Sequence, residues 1–283
     1  MICHSSSANQ GLPGNLVRSL YSDENGLPIL SAGSHRIDHT SPLEQRWGGW
    51  YVTGTSGKQK HMGNFIVQGN HDPAGIDNTK GTNVTDLSDR FKTNAYLTPH
   101  SDIVALMVLE HQTEMQNLIG RANFLTRMAL YEEASINQAL GRPADYRSDS
   151  TSSRIKGAGE PLVKYILCSG EAKLTERVRG TSHFAEEFSK RGPRDRRGRS
   201  LRDLDLEHRL FVYPCSYLIY SEAFDALPAP MKEYVYQRLW EVLSGADTSE
   251  NFRHLTAADR QAILEILRET KPNLPGSWRA DAH

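Results

Sequence analysis

Apolar residues recur with helical spacing along one long stretch in the middle of the chain. After LTPHSD, the segment IVALMVLEHQTEMQNLIGRANFLTRMALYEEASINQAL stays compatible with a helix until Gly141 and Pro143. Ser101 or Asp102 can cap its first turn, because a short side-chain oxygen accepts from the free amides there. The pattern therefore predicts one long helix. Its apolar stripe consists of Ile103, Leu106, Met107, Leu118, Ile119, Ala122, Leu125, Met128 and Ala129.

Shorter helical patterns follow the long one. Pro230 suits the first turn of one of them, and Thr256 with Asp259 forms a capping box that begins another. Their approximate bounds are 160–168, 182–190, 216–226, 229–244 and 256–269.

The first third of the chain shows no comparable periodicity. Gly, Asn, Ser, Thr and Asp recur from Cys3 to about Thr98 too often for long regular elements. The polar stretch 68–95 is the best candidate for a boundary. We therefore expect a mainly α protein, with an irregular, loop-rich region at 1–95 and a helical domain, containing the one long helix, at 96–283.

Composition narrows the classes of function. Of 283 residues, 24% are charged and 38% are apolar, the formal net charge is −1, and the mean hydropathy is −0.55. A nearly neutral chain has no overall attraction for polyanions, so no nucleic-acid partner is expected. No apolar run approaches the roughly 18 residues that span a bilayer, and no signal-peptide pattern is visible. Hydrolase and nucleotide-binding motifs such as G-x-S-x-G, H-E-x-x-H and the P-loop are absent from the sequence.

The chain opens MICHSSS, in which Cys3 and His4 form half of a haem-attachment pattern. In C-x-x-C-H, two thiols form thioethers with the porphyrin and the histidine ligates the iron. A cysteine directly before Met1 would complete the pattern as C-M-I-C-H, and we would then expect the true start to lie upstream. If Met1 is the true start, the half-motif is vestigial. The simplest alternative is a buried thiol beside a surface imidazole.

A second stretch, HRIDHTSPLEQRWGGWYVTGTSGKQKHMGNF, holds the candidate surroundings of such a haem. An electron-transfer haem takes a sixth ligand, often a methionine thioether, whose soft sulfur favours Fe(II). Met62 lies in the Gly-rich loop KHMGN, which can present a thioether to the distal face. We expect Met62 to be that ligand, with Trp47, Trp50 and Tyr51 as an apolar wall that excludes water. Alternatively, Met62 is a packed loop residue.

Three long blocks carry a resemblance to a known family. They are GSHRIDHTSPLEQRWGGWYVTGTSGKQKHMGN, LTPHSDIVALMVLEHQTEMQN and GTSHFAEEFSKRGPRDRRGRSLRDLDLEHRLFVYPCSYLIYSEAFDALP. From Cys3 to about Trp278 the chain resembles a bacterial family of cytochrome c domain-containing proteins. The resemblance implies a complete C-x-x-C-H after a secretion signal, and so covalent haem c, a periplasmic location and other redox proteins as partners. It makes Cys3 the second thioether cysteine and His4 the proximal ligand.

Four histidines are fallback ligands for the iron or another metal, because neutral imidazole suits Fe, Cu and Zn. On the long helix, Met107, His111 and Met115 share one face and could line a redox pocket. Core packing with a hydrogen-bonded His111 is the alternative, and structural or solvent-exposed roles are the alternative for the others. The four are His35, His39, His61 and His111.

Two further features complete the sequence picture. The run from Lys190 to Arg202 contains seven basic residues, which could steer an acidic redox partner or pair with haem propionates. Its interspersed aspartates make an internally paired loop an equal alternative, and we expect a solvated loop first. Cys168 and Cys215 lie in apolar surroundings, where a thiol is inert. The expected function is one-electron transfer by haem c. A peroxidase-like haem enzyme with an open sixth position and a haem-free helical binding module are the alternatives.

Overall fold

The computed structural model describes residue 9, residues 11–68 and residues 76–279. The described structure is 45% helical with little strand, which confirms the predicted mainly α class. The helices of the described residues are α1 (Ile103–Ala139), α2 (Asp149–Ile166), α3 (Phe184–Lys190), α4 (Glu222–Asp225), α5 (Ala229–Leu243) and α6 (Ala257–Thr270), and the strands are β1 (Arg18–Ser19) and β2 (His35–Arg36).

The long helix expected from the apolar pattern is α1, which has 37 residues. Of the two candidate caps it uses Asp102, whose Oδ1 accepts from the amides of Val104 at 2.8 Å and Ala105 at 3.3 Å. The other carboxylate oxygen accepts from the amides of Thr181 at 2.9 Å and Ser182 at 2.8 Å. One buried carboxylate therefore caps α1 and ties its start to the loop that precedes α3.

The helical layers pack in sequence, α2 against α1 and α5 against α2. The α2–α5 crossing needs Gly159, because a Cβ there would lie 2.6 Å from Cδ1 of Tyr234 and 3.0 Å from the sulfur of Met231. Helix α6 packs on α5 and begins with the predicted capping box of Thr256 and Asp259. Among the described residues, no helix combines the length and the apolar character that crossing a bilayer requires.

The described part of the first third contains only short elements. Strands β1 and β2 pair antiparallel, with Arg18 opposite Arg36, and 3₁₀ turns supply the remaining regular structure before residue 96. This supports the expected loop-rich character in part.

The irregular region packs directly on the helices. Ile37, Trp47 and Val52 belong to the same buried hydrophobic cluster as Ile103 and Leu106 at the start of α1. A single core therefore lies between the irregular region and the helical layers. The domain boundary near residue 95 stays a prediction.

Candidate functional site

Trp50 and Tyr51 lie between two clefts on the irregular region. The larger cleft has a volume of about 460 Å³, and its lining includes Phe91, Tyr96 and His100. The smaller has a volume of about 220 Å³ and is lined on its far side by residues 64–66 and 22–26. The two predicted wall residues therefore border both cavities.

Aromatic rings form the wall of the larger cleft. The ring centroids of Tyr51 and Phe91 are 4.6 Å apart, and those of Phe91 and Tyr96 are 5.5 Å apart in an edge-on arrangement. At its rim, Tyr96 is 66% exposed. Leu97, its neighbour in the chain, is fully exposed. An apolar rim around a concave aromatic surface is typical of a site that another group covers.

Hydrogen bonds and a close backbone approach position Trp50 against β1. Its indole Nε1 donates to the carbonyl of Arg18 in β1 at 2.8 Å. The preceding turn touches the same strand, since the amide of Gly48 donates to Ser19 Oγ at 2.7 Å and a Cβ at Gly48 would lie within 2.8 Å of the Leu20 backbone. The turn therefore requires glycine at position 48, where it approaches the Leu20 backbone closely. It places Trp50 beside β1.

The opposite side of the larger cleft is joined to α1. The amide of Thr53 donates to the carbonyl of Ser101 at 2.6 Å, and the amide of Ile103 donates back to the Thr53 carbonyl at 2.8 Å. His100 therefore lies beside the segment that carries Tyr51. Its Nδ1 is buried without a hydrogen-bond partner.

Behind the clefts, the irregular region meets α1 through a buried ion pair. Arg46 Nη1 donates to Glu110 Oε2 at 2.9 Å, and both side chains are almost fully buried. The remaining guanidinium donors reach the carbonyls of Ser41 and His39. Burial raises the pKa of Glu110 to about 7, although Arg46 and the nearby Trp47 indole oppose this shift.

Two fallback histidines meet in the same buried layer. Nδ1 of His39 lies 2.8 Å from Nδ1 of His111, and His111 Nε2 lies 2.7 Å from Ser216 Oγ. The ring of Tyr165 stacks on His39 with centroids 3.9 Å apart. Burial lowers the pKa of His39 to about 3 and that of His111 well below its usual value, so both rings are neutral. The alternative of a packed, hydrogen-bonded His111 describes this arrangement.

Met62 and His61 lie close to Trp47 and away from the clefts. Met62 is buried, its sulfur accepts from Ser19 Oγ at 3.5 Å, and it lines neither cleft. His61 packs edge-on against Trp47 at 5.3 Å, and its Nδ1 accepts from the amide of Gly63 at 3.1 Å. Burial lowers the pKa of His61 to about 4.

The sequence-predicted residues thus divide between two places. Trp50 and Tyr51 lie at the clefts, while Trp47, His39, His61, Met62 and His111 lie in the buried layer behind them. His35 is half-buried in β2. Cys3 and His4 lie outside the described residues, so the attachment site stays a prediction.

Sequence reasoning missed the residues that complete the larger cleft. Phe91, Tyr96 and His100 lie in the stretch taken as a polar connection or just after it. A signal was present, since Phe91 and Tyr96 are isolated aromatics in a segment otherwise rich in polar residues.

A third cleft, of about 850 Å³, lies between the end of α2 and the start of α6. Lys173 and Arg253 contribute positive charge to it, and Glu171 and Glu250 contribute carboxyl groups. Burial raises the pKa of Glu171 to about 7. Cys168 borders this cleft, but burial raises its thiol pKa well above the usual value, as expected for an inert cysteine.

The basic run from Lys190 to Arg202 forms an internally paired loop. Asp195 accepts from Arg199 Nε at 2.6 Å, and Arg199 also donates to Glu265 of α6 at 2.7 Å. Arg202 stacks over the ring of Tyr217 at 4.2 Å. These contacts describe the internally paired alternative and not the solvated loop that the sequence led us to expect first.

Comparison with models of known protein families, with curated proteins and with solved structures gives no match to this chain. Within the described residues, no group of three or more His, Cys, Asp and Glu side chains is arranged to hold a metal ion. The functional argument therefore rests on the clefts and on the sequence motif.

Proposed function

We propose that this protein is a c-type haem protein that transfers single electrons to and from other redox proteins in the periplasm. The observation that carries the proposal is the aromatic cleft bounded by Trp50, Tyr51, Phe91 and Tyr96, which lies in the same third of the chain as the Cys3-His4 pair. A cavity of about 460 Å³ falls within the range of sites for small molecules and cofactors.

The start of the described chain lies against β2 and α1. Asn9 lines a depression with Arg36 of β2 and with Glu114 and Asn117 of α1. The five residue steps from Asn9 back to His4 span at most about 18 Å, since an extended chain advances about 3.6 Å per residue. This reach limits how far from Asn9 the attachment point of the haem can lie.

The residues at the clefts fit the apolar part of such a group. The rings of Tyr51 and Phe91 offer flat apolar surface, and the exposed Tyr96 provides an aromatic rim that a planar ligand would cover. When bound, haem supplies one-electron chemistry between Fe(III) and Fe(II). The contribution of the protein is to exclude water and to fix the surroundings, which are the factors that set the potential.

Met62 does not fit the expected role in its present position. Its sulfur faces Ser19 in the buried layer, and neither cleft reaches it. Met62 as an iron ligand stays a prediction.

The test is a pyridine haemochrome spectrum of the full chain, produced with a cytochrome c maturation system, with and without a cysteine placed before Met1. We expect one covalent haem per chain in the form with the added cysteine. Replacing both the added cysteine and Cys3 by alanine should abolish the attachment that remains after denaturation, while Cys215→Ala, which removes a buried thiol, should keep it. A colourless product from the form with the added cysteine would contradict the proposal and favour a haem-free binding module.

A further inference from the structure

We infer that His100, rather than Met62, provides the sixth ligand to the iron; this inference rests on the proposed haem function. Among the described histidines, His100 alone lines either of the two clefts that border Trp50 and Tyr51. None of the described residues that the sequence predicted as iron ligands lines the larger cleft.

Four of the other described histidines already have partners. His39 and His111 hydrogen-bond to each other, and His61 accepts from the amide of Gly63. His254 lies 2.7 Å from the carbonyl of Leu167, in another part of the molecule. Recruiting any of these to iron would break a buried contact, which costs about 1–3 kcal/mol for each polar group left unpaired.

The His100 ring, by contrast, makes no hydrogen bond to any described residue. Its Nδ1 is buried and unpartnered, and the one hydrogen bond of this residue is made by its backbone amide, to Thr98 Oγ1 at 3.3 Å. An imidazole without a hydrogen-bond partner beside an aromatic cavity retains its capacity to bind a metal.

The backbone that follows His100 is fixed. Ser101 donates to Thr53 Oγ1 at 3.1 Å and accepts from the Thr53 amide at 2.6 Å, and the next residue, Asp102, caps α1. A ligand held next to a helix cap and a backbone bridge is positioned before the metal arrives, which favours a single coordination geometry.

Ligand identity has a measurable consequence. A methionine axial ligand raises the potential of a histidine-ligated haem, because the soft thioether favours Fe(II). With His100 as the sixth ligand, the protein should be low-spin, lack the thioether-to-iron absorption band and have a lower midpoint potential than a methionine-ligated haem.

The experiment compares three variants of the full-length haem protein with the added cysteine: His100→Ala, Met62→Leu and the control His183→Ala, which changes an exposed histidine. We expect His100→Ala to become high-spin and to bind added imidazole with recovery of the low-spin spectrum. Met62→Leu and His183→Ala should retain the wild-type spectrum. His100→Met should remain haem-bound and raise the midpoint potential.

The outcomes separate the two proposals. One possible result is a covalent haem with a thioether band that Met62→Leu removes and His100→Ala retains. This result overturns the inference and leaves the haem function intact. A high-spin wild-type protein also overturns the inference and favours the peroxidase-like alternative. Absence of haem from every preparation overturns both. Circular dichroism of each variant shows whether a spectral change reflects unfolding.

Discussion

At the scale of single residues, the buried histidine pair shows how desolvation selects a protonation state. His39 and His111 lie in contact through their Nδ1 atoms with no counter-charge between them, so a second proton would place a cation in the core. The lowered pKa values of both rings follow from this burial. The pair is therefore a neutral hydrogen-bonded unit, which links the irregular region to α1 and, through Ser216, to the segment that precedes α4.

Breaking the pair on one side should be costly. His39→Leu leaves Nδ1 of His111 buried without a partner, and we expect a loss of about 1–3 kcal/mol in the free energy of unfolding. The double variant, with leucine at both positions, should lose less than the sum of the two single changes, because no orphaned nitrogen remains between them. Urea unfolding of the four proteins measures the coupling. Additive losses would show that the contact between the rings contributes nothing.

At the scale of elements, the start of α1 has a larger structural role than an ordinary cap. Asp102 caps the helix with one oxygen and holds the amides of Thr181 and Ser182 with the other. It also adjoins Ser101, which is bridged to Thr53. The same carboxylate thus joins α1, the loop before α3 and the segment that carries the larger cleft.

Removing this carboxylate should therefore cost more than removing a cap that serves one helix. We expect Asp102→Ala to lower the free energy of unfolding by about 2–4 kcal/mol, since it loses the cap and unpairs the loop amides. Thr256→Ala, which affects only the capping box of α6, is the matched control and should cost about 0.5–2 kcal/mol. Chemical denaturation of both variants makes the comparison. Equal losses would contradict the bridging role.

Two glycines in α2 give a second test at this scale. Gly157 is exposed with open space around it, whereas a Cβ at Gly159 would collide with the ring of Tyr234. Gly157→Ala should stabilise the protein by about 0.5–1 kcal/mol, because alanine loses less backbone entropy in a helix. Gly159→Ala should destabilise it by about 1–3 kcal/mol through overpacking. Thermal unfolding of the two variants distinguishes helix propensity from packing. A change in stability of the same sign in both variants would show that α5 does not approach α2 this closely.

At the scale of the whole molecule, buried glutamates and histidines make the free energy of unfolding depend on pH. The pKa values of Glu110 and Glu171 are raised to about 7 by burial, while those of His39 and His61 are lowered to about 3 and about 4. The histidines bind protons more readily when unfolded, so they make stability rise with pH from about 4 to 6.5. The glutamates bind protons more tightly in the folded state, so they make the free energy of unfolding fall as the pH rises.

The contribution of Glu110 can be isolated. Between about pH 4.5 and 7 the folded protein retains the Glu110 proton while the unfolded chain releases it, so stability falls as pH rises. The wild type should therefore lose stability relative to Glu110→Gln across this window, with a slope of at most about 1.4 kcal/mol per pH unit. Urea unfolding at several pH values measures the difference. Glu233→Gln, at an exposed position of α5, should show no such slope. A flat difference for Glu110→Gln would mean that Arg46 keeps the carboxylate ionised throughout.

What the sequence by itself determined is local. The spacing of apolar residues fixed α1, Asp102 and Thr256 marked helix starts through capping chemistry, and the abundance of turn residues indicated an irregular first third. Each of these depends on interactions within a few residues along the chain. For the same reason, the sequence favoured a hydrogen-bonded His111 but could not name its partner.

Only the tertiary structure decided which distant residues meet. Arg46 pairs with Glu110 at a separation of 64 positions, and His39 meets His111 at a separation of 72. Tyr51 comes to face Phe91 and His100 because backbone bridges, and not a periodic pattern, bring their loops together. An irregular segment has no sequence repeat from which such contacts can be predicted. Long-range packing therefore buried Met62 and left His100 at the cleft.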